Sequence, residues 1–195
     1  MKKLAVLVSG NGSNLQAIID STKCGILKNM AKVCLVVSNN ANAYALERAR
    51  NEAIKNLYIK WRAFEDDSFF DREILKQFQN LKIDIICLAG FNRILGKSVV
   101  KIFDGKILNI HPSLLPKFGG KGMYGRFVHE AVIQAGEKKS GSTVHFVDEN
   151  YDTGKIIIQE AIDVLPEYTP NILAKKVLEI EHKIYPKAIK KIIEN

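Results

Sequence analysis

The sequence predicts an α/β fold in which one open sheet is mostly parallel, with an antiparallel C-terminal part and helices on both faces. Apolar runs alternate with segments of helical periodicity through the first part of the chain, as in parallel sheets whose strands are joined by helices. The first run, Leu4–Val8, is apolar at every position, which is typical of a strand buried on both faces. Beyond about residue 140, apolar and polar residues alternate, which favours antiparallel strands. Together these patterns indicate a single Rossmann-like sheet.

The parallel part of the sheet is expected to contain four clear strands and a short one. In chain order these are Leu4–Val8, Val33–Val37, the short Leu57–Trp61, Ile83–Leu88 and Lys106–Ile110. Helical periodicity lies between them. The predicted helices follow the first strand, where Leu15, Ile18 and Ile19 share one face, and cover Ala43–Asn51 and Ser68–Asn80.

The C-terminal part predicts a hairpin and a long helix. Ser142–Val147 and Lys155–Ile162 alternate and are expected to pair as antiparallel strands. Thr169 and Pro170 predict the start of the last helix, with Thr as the N-cap residue and Pro at the first helical position. Pro186 is expected to kink or end that helix, because proline cannot donate a helical hydrogen bond.

Length and composition exclude several classes of protein. The chain has 195 residues, close to the size of one domain, so residues 1–195 are interpreted as a single domain. Its 47% apolar and 26% charged residues suit a globular protein and exclude overall disorder. Its three scattered cysteines exclude a disulfide scaffold. No apolar run is long enough for a membrane span or signal peptide, which favours a cytoplasmic protein without a membrane partner. The net charge of +8 is spread along the chain without a nucleic-acid-binding motif, so no nucleic-acid partner is expected.

A glycine-rich loop, Ser9–Leu15, joins the first strand to the first helix. Glycines and a helix N-terminus suit a phosphate group, and Ser13 and Asn14 can add hydrogen bonds. The alternative is a tight turn capped by Ser13. The loop is not a dinucleotide fingerprint, because Leu15 replaces the third glycine and the second strand ends in Ser38–Asn40 instead of a carboxylate.

Two unusual segments follow later strands, Ala89–Leu95 and Leu108–Pro116. Asn109 and His111 are two residues apart, so on an extended strand they point to the same face. An amide and an imidazole side by side can stabilise the oxyanion of a tetrahedral intermediate. The alternative is a capping asparagine and a structural histidine in a proline-rich turn. The other histidines stand at no metal-ligand spacing, so no metal is predicted.

Five motifs together resemble the phosphoribosylglycinamide formyltransferase family, folate-dependent enzymes of purine biosynthesis. In chain order they are Ser9–Gln16, Ala89–Leu95, Asn109–Pro116, Ser142–Val147 and Asp152–Gly154. The resemblance implies the formyltransferase fold and no metal. It also implies two small-molecule substrates, 5-phosphoribosylglycinamide and the formyl donor 10-formyltetrahydrofolate.

The resemblance also implies roles for individual residues. The phosphoribosylglycinamide site falls on Gly12, Ser13 and Asn14 for the phosphate and on Glu181 for the ribose. Glu181 has the alternative interpretation of a surface carboxylate on a charged helix. The folate site falls on Asn92, Arg93, Ile94, Leu95 and Asn109, and the catalytic group on Asn109, His111 and Asp152.

The implied reaction is a direct attack of the substrate amine on the formyl carbon, through a tetrahedral intermediate. Asn109 and a protonated His111 would stabilise the oxyanion. Asp152 would orient His111 and raise its pKa, because a nearby carboxylate favours the imidazolium.

The sequence departs from the family pattern at two positions. A basic folate contact of the family falls on Asp67, so Arg62 or Arg72 would have to replace it. A lysine that contacts phosphate in some members falls on Leu178. In addition, Phe118–Gly125 is rich in glycine and is expected to form a mobile flap over the folate site.

Three other functions compete with this interpretation. A formyltetrahydrofolate hydrolase or a methionyl-tRNA formyltransferase would carry a further domain, which the length of this chain disfavours. An inactive protein that senses a phosphorylated metabolite would not need the combination of Asn109, His111 and Asp152. The sequence leaves open whether the protein is a monomer or a homodimer.

Overall fold

Seven strands form one sheet in a computed structural model that describes residues 1–60 and 68–195. The strands are β1 Lys2–Val8, β2 Ala31–Ser38, β3 Asn56–Tyr58, β4 Ile85–Leu88, β5 Ile107–His111, β6 Lys139–Phe146 and β7 Ile156–Asp163. Their order across the sheet is β3-β2-β1-β4-β5-β6-β7. Pairing is parallel from β3 to β5 and antiparallel from β5 to β7. The mostly parallel sheet with an antiparallel C-terminal part is confirmed.

Helices cover both faces of this sheet. They are α1 Ser13–Cys24, α2 Tyr44–Asn51, α3 Ser68–Leu81, α4 Lys97–Ile102, α5 Arg126–Gln134 and α6 Pro170–Glu194. Buried side chains of α1, α2 and α6 share one core cluster, and those of α3 and α4 share a second cluster on the opposite face. Within the described residues, no helix has both the length and the apolar character that crossing a membrane requires.

The central position of β1 in the sheet explains why its sequence is apolar throughout. Leu4, Val6 and Val8 belong to one core cluster, whereas Ala5 and Leu7 belong to the other. Successive side chains of a strand point to opposite faces, so a strand covered by helices on both sides needs apolar residues at every position.

The C-terminal strands differ from their predicted bounds. The predicted hairpin is confirmed, because β6 pairs antiparallel with β7. β6 nevertheless begins at Lys139, before the predicted Ser142, and is buried from Ser140 to His145. The polar residues from Ser140 to His145 therefore do not face solvent, and Ser142 and Thr143 hydrogen-bond to the end of β5 and the segment that follows it, as described below.

Helix α6 begins as predicted but does not end at Pro186. The Thr169 hydroxyl accepts a hydrogen bond from the Ile172 N–H at 3.3 Å, which caps the helix. The helix then continues through Pro186 to Glu194. Pro186 lies in the buried face of the helix beside Tyr185, and this packing keeps the segment helical although proline lacks an N–H.

The Tyr185 hydroxyl ties α6 to two neighbouring strands. It lies 2.9 Å from the Leu88 carbonyl oxygen of β4 and 3.0 Å from the Leu108 carbonyl oxygen of β5. The side chain is fully buried, so no solvent water replaces these contacts.

Replacement of Tyr185 by Phe is expected to lower the free energy of unfolding by about 1–3 kcal/mol, because buried carbonyl groups lose their donor. Urea unfolding followed by circular dichroism measures this change. Tyr58→Phe is the matched control, since Tyr58 is exposed. Equal stability of the two variants would show that the Tyr185 hydroxyl does not hold α6 on the sheet.

Candidate active site

The loops that follow β1, β2 and β4 meet at one edge of the sheet. The Asn92 N–H donates to the Ser9 hydroxyl at 3.0 Å, and the Asn39 amide donates to Asn92 Oδ1 at 2.9 Å. The Ser9 N–H also donates to the Gly90 carbonyl at 3.0 Å. In open α/β sheets, the carboxyl ends of parallel strands form the usual place for a ligand.

Strand pairing brings a cluster of polar side chains together beside β5. Asn109 lies directly opposite His145 in the antiparallel pair of β5 and β6, so both side chains are on the same face. The Asn109 amide nitrogen is 3.1 Å from His145 Nε2 and donates to Asp152 Oδ1 at 3.3 Å. His111 is two residues further along the same face, and its Nδ1 is 3.5 Å from Asp152 Oδ2. The structure therefore assembles the predicted trio and adds His145.

The two histidines of this cluster are oriented by backbone carbonyls. His111 Nε2 lies 2.8 Å from the Phe118 carbonyl oxygen, and His145 Nδ1 lies 2.7 Å from the Phe146 carbonyl oxygen. A carbonyl only accepts, so each of these nitrogens carries a hydrogen. The second ring nitrogen of each histidine, His111 Nδ1 and His145 Nε2, lies 3.5 Å from the Asp152 carboxylate.

The pKa of His111 is lower than usual, although Asp152 raises it as expected. Burial lowers it, and this effect outweighs the Asp152 carboxylate and the Phe118 carbonyl, which both raise it. The pKa of Asp152 is also lowered. Burial alone would raise it, but the contact with His145, the charge of His111 and the Gly120 N–H together stabilise the carboxylate. The pKa values of both groups are therefore lowered, that of His111 by burial and that of Asp152 by the groups that surround its carboxylate.

Asp152 is held in an unusual backbone conformation. Its φ angle is +55°, in the left-handed region that few residues other than glycine adopt. Its Oδ2 atom accepts the Gly120 N–H at 2.9 Å, which links Asp152 to the predicted flap. Close packing also explains the glycine two residues later, because a Cβ atom at Gly154 would lie 1.8 Å from the Phe146 carbonyl oxygen. Local strain of this kind is often found at functional sites.

Side chains from β6 and β7 fix the turn that follows His111. Ser142 donates to the His111 carbonyl at 2.9 Å, and Thr143 donates to the Ser113 carbonyl at 2.6 Å. Gln159 of β7 reaches the same turn and donates to the Leu115 carbonyl at 3.0 Å. These bonds satisfy buried carbonyl groups and fix the backbone that follows β5.

The glycine loop leads directly into α1 without a capping side chain. Gly12 is the N-cap residue with φ +77°, and no side chain accepts from the first turn. The alternative of a turn capped by Ser13 is therefore wrong, and the first N–H groups of α1 are left available for an anion. Gly12 is also packed against α2, since a Cβ atom here would lie 2.6 Å from Ala45 Cβ.

Glu181 is buried and paired with the glycine loop. The Asn14 amide donates to Glu181 Oε2 at 2.6 Å, and Asn14 Oδ1 is buried without a partner in the described residues. The interpretation of Glu181 as a surface carboxylate is wrong, because only 7% of the residue is exposed. Burial raises the pKa of Glu181 to about 7, although the bond from Asn14 opposes this shift.

The predicted folate segment, Asn92 to Leu95, connects β4 to α4. Leu95 is buried in the core, so its side chain anchors the segment, whereas Asn92 and Arg93 are exposed. The buried Asp71 carboxylate accepts the Gly96 N–H at 3.3 Å and fixes the far end of this segment. Arg62 and Asp67, named above for a basic folate contact, lie outside the described residues, and Arg72 lies in α3.

His145 is the residue of this cluster that sequence reasoning missed. Its spacing excluded a metal role and suggested nothing else, because the pairing register with Asn109 is not visible along the chain. In residues 1–60 and 68–195 no group of three or more side chains is arranged to hold a metal ion.

Comparisons of this chain with known proteins lead to one family. The family model described as formyl transferase matches residues 2–189. The phosphoribosylglycinamide formyltransferase of Haemophilus influenzae is 42% identical over 190 residues, covering 97% of this chain and 86% of that protein. The trifunctional purine biosynthetic protein adenosine-3 of Drosophila melanogaster is 41% identical over 192 residues, which are 98% of this chain but 14% of that protein. The chain thus spans only a small part of that longer relative.

A solved structure gives the same result for the fold. The crystal structure of glycinamide ribonucleotide transformylase 1 from Symbiobacterium toebii has a TM-score of 0.92 and 39% sequence identity. The match covers 100% of this chain and 88% of that chain. The predicted fold class is confirmed by this likeness.

Replacement of Gly12 by Ala is expected to lower the free energy of unfolding by about 2 kcal/mol or more, since the methyl group meets Ala45 and φ is positive. Thermal and urea unfolding measure the change. Gly10→Ala is the matched control in the same loop, because nothing lies within 4 Å of its Cβ position. A tolerated Gly12→Ala would contradict the close packing of this loop on α2.

Removal of the Glu181 carboxyl is expected to change how stability depends on pH. The pKa is 4.5 for the free side chain and about 7 in the folded protein, so the folded state keeps a proton that the unfolded chain releases between these values. The free energy of unfolding of the wild type therefore falls by roughly 3 kcal/mol as pH rises through this range. That of Glu181→Gln does not show this fall. Urea unfolding at pH 4.5 to 8 measures the difference between the two curves. Glu179→Gln, exposed on the same helix, should run parallel to wild type, and a parallel Glu181→Gln curve would refute the raised pKa.

Proposed function

The chain belongs to the formyl transferase family, and we propose that it transfers the formyl group of 10-formyltetrahydrofolate to the amine of 5-phosphoribosylglycinamide in purine biosynthesis. The observation that carries this function is the cluster in which Asp152 lies within hydrogen-bond distance of Asn109 and within ion-pair distance of His111. The names of the similar proteins support the same reaction.

The reaction needs stabilisation of one negative charge and the transfer of one proton. The amine nitrogen forms a bond to the formyl carbon, and the formyl oxygen becomes an oxyanion. Collapse of this intermediate breaks the bond to N10 of the folate, and the proton lost by the amine is delivered to N10. Asn109 and His111 supply the donors for the oxyanion, and Asp152 supplies the charge that favours a protonated His111.

The cluster must rearrange before it can serve this reaction. His111 Nε2–H is engaged by the Phe118 carbonyl, and the Asn109 amide is engaged by Asp152 and His145. Displacement of the Phe118 carbonyl frees Nε2–H for the oxyanion. The flap Phe118–Gly125 begins at this carbonyl and contains positive φ angles at Gly120, Gly122 and Gly125. Glycine adopts many backbone conformations, so these residues suit the predicted mobility of the flap.

The chemistry of two neighbouring segments assigns a place to each substrate. The free N–H groups at the start of α1 suit the phosphate of the ribonucleotide, and Glu181, held by Asn14, suits the ribose hydroxyls. The segment Asn92 to Leu95, with Asn92 and Arg93 exposed, suits the polar edge of the folate pteridine. Holding both substrates in line contributes a large part of the rate enhancement of two-substrate reactions.

An absorbance assay of folate deformylation tests the proposed function. Purified protein is given 10-formyltetrahydrofolate with and without 5-phosphoribosylglycinamide. Consumption that requires the ribonucleotide, with one formyl group transferred per folate, supports the transferase. Release of formate without the ribonucleotide would instead identify a hydrolase. Tight binding of both ligands with no turnover would identify a binding protein.

His111→Ala and Asp152→Asn are expected to lower kcat by on the order of 100-fold or more, since each removes a group needed for proton transfer or oxyanion stabilisation. Steady-state kinetics with both substrates measure kcat and KM separately, and circular dichroism shows that the variants are folded. Asp163→Asn is the control, because Asp163 is an exposed carboxylate of β7. Near wild-type turnover in either test variant would remove that residue from the mechanism.

A further inference from the structure

Helix α2 contacts three successive residues of the glycine loop, Gly10, Asn11 and Gly12. The Ala45 N–H donates to the Gly10 carbonyl at 3.2 Å, and Ala45 packs directly on Gly12. Arg48, one turn further along α2, donates from Nε to the Asn11 carbonyl at 2.9 Å and from Nη2 to Asn11 Oδ1 at 2.9 Å. This helix, which the glycine motif itself does not include, therefore holds the shape of the loop.

Arg48 is charged, but its contacts are with neutral groups. Besides Asn11, its Nη1 donates to Gln16 Oε1 at 3.2 Å, and its guanidinium carbon lies 4.9 Å from the centre of the Tyr44 ring. In the part of the chain that the structure describes, no carboxylate forms an ion pair with Arg48. Arg50 on the same helix differs, because it pairs with Glu47 at 2.6 Å. The positive charge of Arg48 is therefore not neutralised where it meets the loop.

The guanidinium also retains unused hydrogen-bond donors. Arginine has five N–H groups, and the contacts with Asn11 and Gln16 use three of them. The charge of Arg48 extends toward α6, since after burial it is the second cause that lowers the pKa of His182, the residue next to Glu181. Leu178, one turn before Glu181, brings no charge to this region.

We propose that Arg48 recognises the phosphate monoester of the ribonucleotide substrate and holds the loop that receives it. This inference rests on the proposed function. Arg48 brings two unused N–H groups and a full positive charge to the loop that precedes α1, where the other donors are neutral backbone amides. A phosphate group carries close to two negative charges at neutral pH, and a charged donor binds it more strongly than a neutral one. Arg48 thus determines the preference for a phosphorylated substrate.

Three variants separate the charge of Arg48 from its contacts. Arg48→Met removes the charge and the donors but keeps an unbranched side chain. Arg48→Lys keeps the charge but cannot reproduce the two bonds to Asn11. Arg50→Met removes the neighbouring arginine of α2 and is the matched control.

Each variant is assayed with the phosphorylated substrate and with the corresponding riboside that lacks the phosphate. Arg48→Met is expected to raise KM for the ribonucleotide tenfold or more, while kcat, KM for the folate and kcat/KM for the riboside stay within about twofold of wild type. The KM of Arg48→Lys for the ribonucleotide is expected to lie between those of wild type and Arg48→Met. Arg50→Met is expected to have the kinetic constants of wild type. A purely structural role would instead lower kcat/KM equally for both substrates, which would overturn the inference, as would an unchanged KM.

Binding of inorganic phosphate tests the role of Arg48 independently of the proposed formyl transfer. Millimolar phosphate is expected to raise the melting temperature of wild type and Arg50→Met but not that of Arg48→Met, because a ligand stabilises only a state that binds it. If wild type shows this effect but transfers no formyl group, the proposed function fails and the phosphate role of Arg48 stands. If phosphate stabilises wild type and Arg48→Met equally, the role of Arg48 is refuted whatever the activity.

Discussion

The candidate site depends on the strand at which the sheet changes direction. β5 pairs in parallel with β4 and antiparallel with β6. The parallel pairing aligns β5 with the strands whose loops carry the glycine motif and the predicted folate segment. The antiparallel pairing sets His145 opposite Asn109, and the connection from β6 to β7 then returns Asp152 to the same side chains. A wholly parallel sheet would not bring these three residues together, because a second parallel neighbour would require a long crossover.

Burial determines the protonation of the groups that matter most. His111 is almost fully buried, and the resulting loss of hydration outweighs the favourable charge of Asp152. Glu181 is also buried and has one hydrogen-bond donor in Asn14, so its pKa moves toward neutrality. Asp152 is less buried and receives several donors, and it stays ionised. The three groups thus differ because burial dominates at His111 and Glu181, whereas the surrounding donors and charges dominate at Asp152.

Most of the fold could be predicted from local patterns. The apolar runs of β1, β2 and β4 and the periodic segments of α1, α2 and α3 have patterns that recur in any parallel sheet covered by helices. Two helices were not predicted: α4 has only six residues, too few for a period to be visible, and α5, with nine residues, directly follows the glycine-rich segment Phe118–Gly125. At Pro186 local chemistry predicted a kink or an end of α6, whereas packing of the helix on the sheet keeps the segment helical to Glu194.

Alone, the sequence determined the order of the strands along the chain, the glycine loop, the residues Asn109, His111 and Asp152 as candidates, and the resemblance that connects them. These features are local, since spacing along the chain and residue type are sufficient to define them. The tertiary structure decided the partner of each candidate. His145 joins Asn109 through strand register, Glu181 meets Asn14 across 167 positions of the chain, and Arg48 reaches the glycine loop from a different helix. Burial and long-range contact set the pKa and the availability of each group, and neither quantity can be calculated from spacing along a chain.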